Sequence, residues 1–187
     1  MSLEPQPVRA TTLIHQEGVL GVIALAVLAF REGGPAAALA PTPGRLLEGV
    51  LVAAVVAAAI VLGLWWCRRL PPVRRLQSFQ ARLVRSWSAG DAAAVALLSG
   101  LAEEALMRAV LQPLIGLLPA ATLFALLHLV PDRELWFWPV FALALGLVFG
   151  LLFERYGYPA AASGHMVLNL LAIQQLRGSP EEAEESS

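Results

Sequence analysis

Apolar and polar positions alternate along this chain on the scale of whole helices. Long apolar runs are separated by short stretches rich in Gly, Pro or Arg. A membrane-crossing helix needs roughly 20 mostly apolar residues. The first such run covers Leu13 to Phe30, interrupted by Glu17 and clean from Gly18 onward. The second, Leu46 to Cys67, carries one acid, Glu48, at its edge. The third, Ala92 to about Leu111, holds the Glu103-Glu104 pair near its middle. Pro113, Gly116 and Pro119 then punctuate the chain before a short run from Ala120 to Val130. Phe137 to Phe153 and Pro159 to Ile173 complete the set. The pattern predicts an all-α, polytopic transmembrane bundle of about six helices. The fourth is too short to cross alone and is expected to tilt, re-enter or join Leu114–Leu118.

Composition agrees. Hydrophobic residues make up 58% and charged residues 14% of the 187 positions, and mean hydropathy is +0.68. Soluble domains run near 45–50% apolar and about 25% charged, so an ordinary soluble enzyme, a disordered chain and a nucleic-acid-binding surface are excluded. The single cysteine, Cys67, excludes an internal disulfide framework. The aromatic residues Trp65, Trp66, Trp87, Trp136, Trp138, Tyr156 and Tyr158 fall near proposed helix ends, where amphipathic rings favour the headgroup zone.

Charge sets the orientation. All 13 basic residues are Arg, and Arg68, Arg69, Arg74, Arg75, Arg82 and Arg85 share one connection. The positive-inside rule places that connection, and with six crossings both termini, in the cytoplasm. Leu76, Phe79, Leu83 and Trp87 recur there at helical spacing between arginines, which predicts an interfacial amphipathic helix. Ala38-Leu39-Ala40 resembles a signal-peptide cleavage site, but it lies well past the apolar run and Pro41 would follow the cut, so the first span is expected to be retained. Residues 1–90 thus read as a hairpin with a basic linker, 91–176 as the working core, and 177–187 as an acidic, disordered tail.

The core is where costly residues collect. A charged side chain at mid-bilayer costs about 2.5–3.5 kcal/mol on insertion scales, yet Glu103, Glu104, Arg108, Gln112, His128, His165 and Asn169 all lie in lipid-depth segments. Glu104 and Arg108, one helical turn apart, share a face and can pair. Glu103 is turned about 100° away, onto the face of Ser99 and Met107, with no cation on its own helix. Such a carboxylate suits a general base near neutrality. Phe124 and His128, like His165 and Asn169, are four apart and face one side of their helix. Three helices could converge a base, two imidazoles and an amide donor on one cavity, the parts needed to activate water against a carbonyl. The bland alternatives are interhelical hydrogen bonding for each histidine, a structural pair for Glu104 and Arg108, packing for Phe124, a helix terminus for Gln112-Pro113 and an incidental role for His15.

These residues form three motifs in order: Glu103-Glu104-Ala105-Leu106-Met107-Arg108 (EExxxR), Phe124-Ala125-Leu126-Leu127-His128 (FxxxH) and His165-Met166-Val167-Leu168-Asn169 (HxxxN). In that succession, over about residues 91–176, the chain resembles the CAAX-protease and bacteriocin-processing (CPBP or Abi) family of intramembrane proteases, which includes type II CAAX prenyl endopeptidases. The resemblance implies a helical bundle with a cytoplasm-facing cavity that cleaves peptide bonds. It implies Glu103 as the base that activates water with His128, an oxyanion site lined by His165 and Asn169, and support of Glu103 by Glu104 and Arg108. It also implies a peptide or protein substrate, lipidated in some members, reached from the plasma membrane of a bacterium among membrane lipids.

Family members are often labelled metalloproteases. Glu103, His128 and His165 would be the ligands of a divalent metal such as zinc, although the chain has no HExxH, and water activation without metal fits the same residue types. The alternative from another class is a non-proteolytic membrane scaffold or immunity protein that binds a partner in the same cavity. A transporter is disfavoured, since the polar residues fall in the second half and no repeat is present.

Overall fold

A computed structural model describes residues 7–178 of the chain. The expected acidic tail lies, past Gly178, outside the described residues. Among the described residues the architecture is all-helical, with one isolated backbone bridge between Pro41 and Gly157. The helices are α1 (Ala10–Ala29), α2 (Gly34–Ala38), α3 (Leu46–Trp66), α4 (Pro71–Val84), α5 (Ala89–Glu104), α6 (Gln112–Ile115), α7 (Leu117–Leu127), α8 (Phe137–Tyr156) and α9 (Tyr158–Gly178). Single 3₁₀ turns at Cys67–Arg69 and Arg133–Leu135 lead into α4 and α8. α5 continues without a break into a π-helical segment, Ala105–Leu111.

Local chemistry sets the boundaries. Ser88 opens α5 with a reciprocal capping box: its hydroxyl accepts from the Asp91 N–H at 3.0 Å and the Asp91 carboxylate accepts from the Ser88 N–H at 2.8 Å. Gly116 has φ +88°, a conformation side chains avoid, and it separates α6 from α7. The fourth apolar run therefore begins afresh at Leu117 and does not join Leu114–Leu118 into one continuous helix. With 11 residues, α7 is roughly 16 Å long, about half of the hydrocarbon core.

α1, α3 with its 3₁₀ turn, and α8 with its preceding turn are each long and apolar enough to cross a bilayer. α9 matches them in length, with 21 residues. It and α5 carry the polar side chains that dilute their apolar character. The surface agrees with a membrane setting: Val19, Val22 and Ile23 on α1, Leu47, Leu51 and Val55 on α3, and Leu151 on α8 all point outward. Water would penalise so broad an apolar exterior. The chain is an integral membrane helical bundle.

Inside, α9 packs against both α5 and α3, α1 lies along α5, and α7 pairs with α8. Small residues permit the approach. Ala53 and Ala57 of α3 and Ala161 of α9 are fully buried. A methyl built on Gly100 would stand 2.8 Å from the Met166 backbone nitrogen, so α5 and α9 touch nearly backbone to backbone.

The basic linker forms α4, as expected, but its apolar face has a protein partner. Val73, Leu76 and Val84 are buried toward α8 and α9, while Arg74, Arg75 and Arg82 face outward. Phe79 meets Trp138 edge-on at 5.6 Å. Trp87 is buried too, with its indole N–H donating to the Val8 carbonyl at 2.7 Å. α4 is thus a cover on one end of the bundle.

Candidate active site

Under that cover lies a cavity of about 360 Å³. Its polar lining comes chiefly from Glu103 and Ser99 of α5, His128 at the end of α7, His165 and Asn169 of α9, and Glu17 of α1. Phe124, Trp138, Leu145 and Leu168 supply apolar walls. Three motifs separated by up to 66 positions in sequence therefore meet in one space, as the sequence pattern predicts.

The rotation of the two glutamates is borne out geometrically. Glu104 turns away from the cavity and is fully buried. Its Oε2 accepts from Arg108 Nε at 2.7 Å and its Oε1 from His165 Nδ1 at 2.9 Å. Arg108 is equally buried, and its guanidinium lies 5.7 Å from the centre of the Phe124 ring. Glu103 faces the cavity on the same side as Ser99. The face argument fails one turn later for Met107: the backbone widens to the π form after Glu104, and Met107 enters the core with Phe124 and Phe149.

Each imidazole is oriented through Nδ1. The end of α7 leaves carbonyls without helical partners, and His128 Nδ1 meets that of Phe124 at 2.8 Å. A carbonyl can only accept, so Nδ1 carries the proton and Nε2 is the free nitrogen of the neutral ring. His165 is held by Glu104 in the same manner. Aromatic rings fix both: Phe124 lies 4.6 Å from His128 and 6.0 Å from His165, Trp138 meets His128 at 5.9 Å, and Phe149 stacks on His165 at 5.1 Å. Asn169 Nδ2 donates one hydrogen to Ser99 Oγ at 2.8 Å and has a second to offer.

Several contributors are not legible in the sequence. Gln112, read as a helix terminus, is buried and donates to the Gly150 carbonyl at 3.1 Å and to Glu154 at 3.0 Å, extending the Glu104–Arg108 network across to α8. Trp138 fits a headgroup belt by position yet lines the cavity. Phe149 and Glu17 belong to runs with no motif. His15 is exposed and bonds to the Thr11 carbonyl on its own helix, outside the site.

The metal reading meets a geometric obstacle. Among the described residues no three His, Cys, Asp or Glu side chains are grouped to share an ion. Glu103, His128 and His165 line one cavity, and the Nδ1 bonds to Phe124 and Glu104 leave both Nε2 atoms free, but the three side chains are not grouped closely enough to form a three-ligand centre. Zinc does not fit this arrangement.

Residues 85–171 match the family model described as "Type II CAAX prenyl endopeptidase Rce1-like". No curated protein and no solved structure matches the chain. The matched segment contains every residue of the three motifs, and Glu17 lies outside it.

Proposed function

We propose that the chain, whose residues 85–171 resemble the Rce1-like CAAX endopeptidase family, is an intramembrane endopeptidase using Glu103 as its base. The observation that carries this reading is the shared cavity, in which Glu103, His128, His165 and Asn169 reach one space from three helices. Glu103 takes a proton from a water held by His128 Nε2, and the water oxygen attacks the scissile carbonyl carbon. Asn169, through its second N–H, and His165, when it carries a proton at Nε2, donate to the developing oxyanion. The C–N bond then breaks, and the proton held by Glu103 passes to the departing amine. Glu104, Arg108 and Phe124 hold the imidazoles and the helix in register.

The apolar walls suit the aliphatic side chains or lipid tail of a CAAX-like or bacteriocin-like peptide. α4 covers the cavity at the Arg-rich end, and the charge bias supports a cytoplasmic position for that end, in the inner membrane of a bacterium on this reading.

The test compares peptide termini across the membrane proteome of cells carrying wild-type protein or Glu103→Ala at equal abundance. Termini unique to the wild type identify both proteolysis and its substrates. Identical termini would overturn the endopeptidase reading in favour of a partner-binding scaffold.

A further inference from the structure

Glu17 interrupts the first apolar run, and by sequence it is only a flaw in a span. In the fold, α1 lies along α5, and this packing brings Glu17 to the cavity wall. Its carboxyl lies against that of Glu103, near enough for the two to hydrogen-bond when one carries a proton. Its Oε2 is shut off from solvent and has no hydrogen-bond partner. The same packing that buries Ala24 and Leu28 of α1 leaves this oxygen without a donor.

An acceptor enclosed without a donor is unfavourable, more so at membrane depth. Arg108, whose guanidinium has a spare nitrogen, is on the far side of α5 with Glu104. The cavity lining includes apolar Leu13, Val84 and Val95, and none of its donors, Ser99, Asn169 and the two histidines among them, bonds to this oxygen. Apart from a proton on Glu103, which the reaction needs as a base, a donor to this oxygen can come from whatever enters the cavity. A peptide offers one N–H per residue, spaced about 3.5 Å along an extended chain. With Glu103 at the attacked carbonyl, the carboxyl beside it is within one residue of the scissile bond.

Resting on the endopeptidase reading, we infer that Glu17 is a substrate-binding residue, supplied by α1 from outside the matched segment, which accepts a peptide N–H next to the scissile bond. The N-terminal helix is then part of the binding site as well as an anchor. A neutral N–H needs an oxygen acceptor and no charge, so glutamine should serve where alanine cannot.

The experiment uses full-length protein in detergent and an internally quenched peptide copied from a cleavage site mapped in cells. Glu17→Ala is expected to lower kcat/KM about 10- to 100-fold, the effect of losing a hydrogen bond to a carboxylate. The loss should appear mainly in KM. Glu17→Gln should recover most of it. Peptides N-methylated at the residue on either side of the scissile amide should lose activity with wild type, and at one of the two positions lose no more with Glu17→Ala. Removing the unpartnered oxygen should leave the melting temperature unchanged or higher.

Wild-type kinetics in Glu17→Ala would overturn the inference, as would a lowered kcat at constant KM, which would mean that Glu17 acts through Glu103. Equal N-methyl penalties in both proteins, or a lowered melting temperature, would overturn it too. If wild type itself cleaves nothing while Glu103→Ala behaves identically, the endopeptidase reading falls and this inference with it.

Discussion

Glu103 and Glu104 are neighbours with opposite surroundings, and their substitutions should separate chemistry from structure. Glu103→Ala and His128→Ala are expected to abolish cleavage while abundance and melting temperature stay near wild type. Neither side chain holds a partner that the fold needs: Glu103 faces the cavity, and His128 bonds only to a carbonyl one turn back on its own helix. Arg108→Ala should behave differently. It strands a fully buried carboxylate that would keep only His165 as a partner, and breaking a buried pair costs about 3–5 kcal/mol. Thermal unfolding in detergent should show a large drop. An unchanged melting temperature would mean that His165 alone suffices to stabilise Glu104.

Between elements, the decisive contact is α5 on α9, because it carries Glu103 and Ser99 to His165 and Asn169. Gly100 makes that approach possible, and Gly100→Ala places a methyl against Met166 and the Ala162 carbonyl, 3.0 Å away. Overpacking of this kind typically costs about 1–3 kcal/mol. The expected result is a lower melting temperature together with slower cleavage, since separating the helices also stretches the Asn169–Ser99 hydrogen bond. Wild-type stability in Gly100→Ala would show that the two helices can slide at no cost. The start of α5 offers a milder test. Ser88→Ala removes one half of the capping box and should cost about 1 kcal/mol, with cleavage nearly intact.

At the scale of the whole molecule, the arginines predict a fixed orientation. Cys67 is free, exposed and next to Arg68 at the Arg-rich end of α3. With that end in the cytoplasm, a membrane-impermeant maleimide should label Cys67 only after cells are permeabilised. Labelling of intact cells would reverse the proposed topology and the side from which substrate enters. α4 ties this orientation to the site, because its outward arginines and its cavity-lining Leu76 and Leu83 belong to one amphipathic helix.

Much of this was determined by sequence alone, for a local reason. Apolar run length decides whether a segment crosses lipid, arginine bias decides which end stays inside, and three- and four-residue spacing decides which side chains share a helix face. Hence the helical bundle, the pairing of Glu104 with Arg108 and the opposed rotation of Glu103 were all legible from the residues. Only tertiary structure decided which helices touch, because packing depends on small residues such as Gly100 and Gly164 meeting across helices far apart in sequence. That is why Glu104 proved to hold His165 as well as Arg108, why Trp138, near a helix end, lines the cavity, and why α4 covers protein. It is also why Glu17, an isolated polar position in an apolar helix, acquired a place beside Glu103 once α1 packed along α5.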